Sequence, residues 1–123
     1  MFEISVEISF TANHFLRLPG GKVEAPHQHD WRLRVKLAAA ELDEYGLIMD
    51  FYQLKRLLRQ VVRPLGGLDA VNQLDYFREL NASTENLARY LYEQIIPLLP
   101  APIRLRKVTL WETADCSASF SIS

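Results

Sequence analysis

Two stretches of the chain alternate apolar and polar side chains with a period of two residues. The first covers residues 2–10 and the second covers residues 31–37. This period is typical of β-strands that bury one face and expose the other. If the two strands pair as an antiparallel hairpin, the residues that follow the first strand lie opposite the residues that precede the second.

Two amphipathic helices are predicted after this hairpin. In the first, apolar residues recur at steps of three and four over residues 51–62, with Asp50 as the N-cap and Pro64 and two glycines closing the helix. The capping candidates of the second helix are Asn81, Ser83 and Thr84. Its buried stripe comprises Leu87, Leu91 and Ile95.

The last third of the chain returns to the strand pattern. A change of phase near Arg106 and Lys107 favours a β-bulge at that point. From Cys116 onward, apolar residues alternate with serines at positions 117, 119, 121 and 123. We interpret Cys116 as a small buried apolar side chain within this strand.

The order of two strands, two helices and two strands predicts an α+β fold class. We expect one domain over residues 1–123, with a four-stranded antiparallel sheet and both helices covering one of its faces. The other face is polar, so it either faces solvent or lines an oligomeric barrel. The edge strands of so small a sheet favour pairing between subunits.

Composition excludes several classes of function. The chain of 123 residues carries 14 Lys and Arg against 15 Asp and Glu, so no net basic field favours nucleic acid. The absence of a long apolar run argues against a membrane-spanning segment or a signal peptide. The single cysteine excludes an internal disulfide and fits a reducing compartment, so we expect a cytoplasmic protein.

Candidate metal chemistry lies at the mouth of the predicted hairpin. His14, His27 and His29 are the only histidines of the chain. Antiparallel pairing brings His14 to the other two, which share one strand face because they are two residues apart. Three imidazoles with a fourth position open is the donor set of a catalytic zinc site, whereas a lone His-x-His pair is weak evidence.

Five segments, taken in order, resemble signatures of the family of 6-pyruvoyl- and 6-carboxy-tetrahydropterin synthases, the pterin enzymes of the tunnelling fold. They are FTANH at residues 10–14, HQHDW at 27–31, GLIMDF at 46–51, NASTENLA at 81–88 and VTLWET at 108–113. The resemblance implies that three subunits close a barrel and that two trimers form a homohexamer with active sites between subunits. It also implies that the three histidines bind Zn²⁺.

The same resemblance implies how a small-molecule pterin is bound. Glu112 would hold the pterin ring, since a carboxylate accepts two hydrogen bonds from a guanine-like edge. Thr84 and Glu85 would lie near the pterin pocket. Without the resemblance, Glu112 reads as an exposed acid at a strand end, and Thr84 and Glu85 read as ordinary residues of a first helical turn.

The chain departs from the family at both of its proton-handling positions. Val23 stands where the family has its catalytic cysteine, and Ala70 stands where a histidine follows the aspartate that is Asp69 here. Valine and alanine cannot transfer protons. Glu24 is the candidate replacement base, and Asp69 remains as the second candidate catalytic residue.

These residues lead to two main hypotheses. In the first, the protein is a zinc-dependent pterin lyase or synthase that acts on 7,8-dihydroneopterin triphosphate or a related pterin. In the second, it is a catalytically inactive protein that binds zinc and a pterin. A weaker third hypothesis keeps only the oligomeric scaffold, with a structural zinc.

Overall fold

The computed structural model describes residues 1–122, so Ser123, the last residue of the predicted serine face, lies outside the described residues. Its strands are β1 (Phe2–His14), β2 (His27–Ala39), β3 (Arg104–Thr113) and β4 (Cys116–Phe120), and its helices are α1 (Phe51–Gly66) and α2 (Thr84–Ile95). The predicted order of two strands, two helices and two strands is confirmed.

The four strands form one antiparallel sheet in the order β1-β2-β3-β4. The β1–β2 pairing runs without a break from Phe2 opposite Ala39 to His14 opposite His27. The predicted hairpin is therefore confirmed, and its connecting loop leaves from the histidine-bearing end. Because β1 and β4 lie at the edges, each leaves one row of backbone groups unpaired in the sheet.

Both helices cover one face of the sheet, with α1 against β1 and α2 against β3 and β4. The layer between them excludes water completely at Leu33 and Leu110 of the sheet and at Leu58 and Leu91 of the helices. Burial of each of these side chains stabilises the fold by roughly 2 kcal/mol. The predicted α+β architecture is confirmed.

The helices begin at predicted caps. The Asp50 side chain accepts a hydrogen bond from the Gln53 backbone N–H, and Ser83 Oγ accepts one from the Asn86 backbone N–H. Pro64 does not end α1, which continues to Gly66. A proline in the last turn removes only one backbone hydrogen bond, and a short continuation beyond it is tolerated.

Among residues 1–122, no helix is both long enough and apolar enough to cross a membrane. The longer one, α1, has 16 residues, whereas a span requires about 20 apolar residues.

The sheet contains two register shifts. One lies at Arg106, where the change of apolar phase predicts a bulge. The other is not predicted by the pattern: it leaves Glu112 as an extra residue of β3 opposite β4. The pairs on its two sides are Trp111 with Ser117 and Thr113 with Cys116.

The prediction that Cys116 is buried is wrong, because the structure exposes this side chain. Cys116 has the same alternation as the half-buried Ala118 and Phe120. However, it is the first residue of a short edge strand and lines an open groove beside Thr84, where α2 begins. The helix therefore covers the end of β4 but not its start.

Candidate metal centre

The three histidines meet at the open end of the β1–β2 hairpin. His14 lies opposite His27, and Ala12 lies opposite His29. The ring centroids are 4.4 Å apart for His14 and His27, 5.2 Å for His14 and His29, and 4.8 Å for His27 and His29. The predicted convergence is confirmed. Each histidine continues the alternation of buried positions along its own strand, so the three rings lie on the same side of the hairpin.

Glu112 of β3 is the fourth member of this cluster. Its Oε1 lies 3.0 Å from His14 Nε2 and 3.6 Å from His29 Nε2. The four residues can each offer one ligand atom with all four atoms within 4.8 Å of one another. From the sequence, Glu112 is predicted only as a pterin ligand and not as a neighbour of the histidines. The signal was present, since Val108, Leu110 and Glu112 alternate onto the helix-facing side.

The backbone of the loop before α2 sets the tautomer of His14. The ring is completely buried, and its Nδ1 lies 2.8 Å from the Ala82 carbonyl oxygen. Because a carbonyl only accepts, Nδ1 carries the proton and Nε2 keeps its lone pair. Burial lowers the pKa of His14, outweighing the hydrogen bond to Ala82 and the charge of Glu112, so the neutral ring is favoured.

Two asparagines hold the chain that follows His14. Asn72 donates to the Phe15 carbonyl and accepts from the Phe15 N–H, at 2.9 and 3.1 Å. Asn81 makes the same pair of bonds with Arg17, at 3.0 and 2.9 Å. Each side-chain amide thus bonds to both the N–H and the C=O of one residue, as a neighbouring strand would. The segment after His14 cannot shift along the β1 direction without breaking these bonds.

Trp31 forms the floor of the cluster. Its ring is completely buried, with its centroid 5.0 Å from that of His14 and 5.3 Å from that of His29. Its Nε1–H donates to the Ala12 carbonyl at 3.0 Å, which fixes the indole in place. The rings therefore stand on a dry, rigid apolar surface, which strengthens electrostatic interactions above it.

The donor atoms fit a divalent metal ion. Nε2 of His14 and Nε2 of His29 are buried and make no hydrogen bond. The His14 lone pair faces a Glu112 oxygen at 3.0 Å, and two acceptors at that distance repel unless a cation or a proton lies between them. Imidazole nitrogens with a carboxylate oxygen are donors that zinc prefers.

Glu24 lies at the rim of the cluster. Its Oε1 accepts a hydrogen bond from the Leu16 N–H at 2.8 Å and is 4.0 Å from His27 Nδ1. Within residues 1–122, its second carboxylate oxygen makes no hydrogen bond. The carboxylate is therefore held in position by one oxygen while the other is free.

The remaining candidate residues lie outside the cluster. Thr84 and Glu85 line a groove of about 410 Å³ with the first residues of β4, and Thr84 lies two residues after Ala82, whose carbonyl holds His14. Asp69 is exposed, and in the described part of the chain only its backbone makes hydrogen bonds. Their proposed roles remain predictions.

Comparison with known proteins adds the family to this geometry. A family-wide sequence profile described as 6-pyruvoyl tetrahydropterin synthase matches residues 3–122. The chain belongs to this family. The match covers almost all of the chain, as the five signature segments predict.

Similar proteins in the family carry more than one activity in their names. The dihydroneopterin monophosphate aldolase of Pyrococcus furiosus is 32% identical over 104 residues, covering 85% of this chain and 83% of that protein. The 6-pyruvoyl tetrahydropterin synthase structure from Caenorhabditis elegans superposes with a TM-score of 0.81 at 22% identity, covering 99% of this chain and 96% of the other. The second likeness supports the fold alone.

One further solved structure is similar in fold. It is the Plasmodium vivax 6-pyruvoyltetrahydropterin synthase with alanine in place of a glutamate described as a catalytic residue. Its TM-score is 0.71 at 20% identity, and the match covers 98% of each chain.

Proposed function

We propose that this protein is a zinc-dependent lyase or synthase that acts on the side chain of 7,8-dihydroneopterin triphosphate or a closely related pterin. The observation that carries the proposal is a positioned carboxylate, Glu24, beside a cluster of three histidines and a glutamate. Its support from relatives is membership of a family whose named members are pterin synthases and an aldolase.

His14, His27 and His29 would hold the zinc ion through ring nitrogens. A bound zinc ion would serve as a Lewis acid toward the side-chain oxygens of the substrate. The chain's own contribution is to keep the rings neutral and oriented, through Ala82 at His14 and the indole of Trp31 beneath.

Glu24 is the proposed general base. The Leu16 N–H binds one carboxylate oxygen, which leaves the other to take a proton from a substrate hydroxyl. The name of the Plasmodium vivax structure, which calls a glutamate a catalytic residue, is consistent with a catalytic glutamate here. In this chain the neighbouring Val23 cannot act, which leaves Glu24 as the nearest carboxylate of the loop.

Pterin recognition is assigned to Glu112 and to the start of α2. Glu112 is 28% exposed, so its carboxylate can accept hydrogen bonds from the N–H groups of a pterin edge. Thr84 and Glu85 line the groove beside β4, which is open because β4 is an edge strand.

The proposal includes a homohexamer in the cytoplasm, built as a dimer of trimers. Pairing of β1 of one subunit with β4 of the next would satisfy both exposed sheet edges. It would also cover the groove at Thr84. Asp69 is exposed, and its carboxylate makes no hydrogen bond among residues 1–122, so it would then serve as the second proton-handling residue from the subunit boundary.

Product analysis of the Glu24→Gln variant tests the proposal. Glutamine keeps an oxygen that accepts from the Leu16 N–H but is not a base, so we expect loss of turnover with zinc still bound. The measurement is mass spectrometry of 7,8-dihydroneopterin triphosphate and monophosphate after incubation with zinc-loaded protein. Glu44→Gln, in the exposed turn at the far end of β2, is the matched control and should keep wild-type turnover.

Two outcomes would contradict the proposal in different ways. Wild-type turnover in Glu24→Gln would remove Glu24 from the mechanism. Intact substrate in the presence of wild-type protein that binds it would favour the inactive zinc- and pterin-binding homologue. That alternative has its own support, since the Leu16 hydrogen bond gives Glu24 a structural role and Val23 is exposed in the same loop.

A further inference from the structure

Glu112 lies at an irregular position of the sheet, where the register of β3 and β4 shifts. It is the extra residue of the β3–β4 bulge, so it has no partner in β4. The extra residue of a bulge is left unpaired with the neighbouring strand. Glu112 keeps the alternation of Val108 and Leu110, and its carboxylate lies beside two histidines rather than in the groove that contains Thr84 and Glu85.

The distances match those between ligands of one ion. Ligand atoms that lie about 2.0–2.1 Å from a zinc ion are roughly 3.3 Å apart at the corners of a tetrahedron. The Glu112 oxygen is 3.0 Å from the donor nitrogen of His14 and 3.6 Å from that of His29, values on either side of this edge length.

Exposure distinguishes Glu112 from the other member it contacts most closely. The His14 side chain is 1% exposed, and that of Glu112 is 28% exposed. Nδ1 of His14 also donates to the Ala82 carbonyl, whereas the Glu112 carboxylate accepts no hydrogen bond among residues 1–122. Glu112 can therefore move more freely than His14 without disturbing the fold.

We infer that Glu112 is the fourth protein ligand of the metal in the ligand-free protein, and that a pterin ring binds as this carboxylate leaves the metal. The first half stands on the geometry alone, and the second half rests on the proposed function. The resting centre is then closed, with three imidazoles and one carboxylate, and opens only when the ring offers Glu112 better hydrogen-bond partners. Metal and pterin compete for one side chain, so each weakens the hold of the other on it.

Cobalt titration of the whole protein tests the first half. The variants are Glu112→Gln, which loses the charged ligand, and Glu112→Asp, which keeps the charge but shortens the reach. Glu24→Gln removes a second carboxylate near the cluster and is the control for charge. We expect both Glu112 variants to lose roughly 10- to 100-fold in Co²⁺ affinity, the scale seen for changes around metal ligands. Glu24→Gln should stay within about fivefold, because the Glu24 oxygen nearest the cluster is bound to the Leu16 N–H and lies 4.0 Å from His27 Nδ1.

Azide reports whether the fourth position is filled. It should bind to Co²⁺ in Glu112→Gln and change the visible absorption, and it should bind at least tenfold more weakly in the wild type and in Glu24→Gln. Equal Co²⁺ affinity in Glu112→Gln and Glu24→Gln would overturn the inference. So would azide binding that is as tight in the wild type as in Glu112→Gln.

Unsubstituted pterin, which has the ring but no side-chain hydroxyls that could bind the metal, tests the exchange. Saturating pterin should change the Co²⁺ absorption of the wild type and strengthen azide binding, because the carboxylate has left the ion and its position is open. An unchanged spectrum at saturation would overturn the exchange. If neither pterin nor neopterin binds at all, the proposed function fails, while the Co²⁺ and azide results still decide whether Glu112 is a ligand.

Discussion

The helix-facing side of the sheet differs between the middle of its strands and their histidine-bearing end. In the middle, Leu33 and Leu110 are completely buried beneath the helices. At the end, His14 is equally buried, yet its polar atoms face the Ala82 carbonyl and the Glu112 carboxylate. The alternation along the strands is the same in both regions.

Burial and alternation therefore predict on which face of the sheet a side chain lies, but not whether it stabilises the core or belongs to a site. An apolar side chain is satisfied by packing alone, whereas a buried imidazole needs a partner for each nitrogen. Among residues 1–122, Nδ1 of His14 has such a partner in the Ala82 carbonyl, whereas Nε2 has none. The unsatisfied nitrogen, rather than the burial, marks this end of the sheet as the candidate metal centre.

The largest expected difference between the regions is in stability. Leu33→Ala should destabilise the protein by about 3 kcal/mol, because it leaves a cavity in a layer that excludes water. Urea unfolding measures this. Below the unfolding transition, the folded variant should keep its wild-type Co²⁺ affinity, and a large loss of affinity would show that the core and the centre are not separable.

A smaller effect is expected where the loop meets the histidine end. Asn81→Ala removes both bonds to Arg17 and loosens the segment whose next residue, Ala82, orients His14. We expect a loss of roughly 10-fold in Co²⁺ affinity, measured by competition with a chelator. Asn81→Asp keeps the acceptor for the Arg17 N–H and should recover part of the loss; no difference between Asn81→Ala and the wild type would reduce Asn81 to a surface contact.

The smallest expected effect is on pH dependence without metal. Burial holds the pKa of His14 below its ordinary value of 6.5. Just below pH 6.5 the ring is therefore protonated in the unfolded chain but still neutral in the folded protein. Stability should therefore fall as the pH falls through 6.5 and level off below the folded pKa, with a slope of at most about 1.4 kcal/mol per pH unit.

Urea unfolding of chelator-treated protein between about pH 7.5 and about pH 5.5 measures this slope. His14→Gln is the comparison, since glutamine can still bond to the Ala82 carbonyl but does not titrate. Parallel stability curves for the two proteins would contradict the assignment to His14.

Much of the fold was open to prediction from local patterns. The strand alternation, the caps Asp50 and Ser83, and the bulge at Arg106 each depend on neighbours in sequence, and all three are observed. The prediction that Cys116 is buried was wrong because exposure at the start of β4 depends on where α2 begins, and this is a contact between segments distant in sequence. The same limit hid the second bulge at Glu112, since a register shift is a property of two strands.

The sequence by itself determined which residues share a face and which end of the hairpin carries the histidines, because a period of two and antiparallel pairing leave no other arrangement. Only the tertiary structure decided that Glu112 reaches His14, that Leu16 holds Glu24, and that Ala82 sets the tautomer of the buried ring. The reason is physical: these contacts join segments whose distance depends on loop paths and helix packing. Nothing in the local pattern of apolar and polar residues encodes those distances.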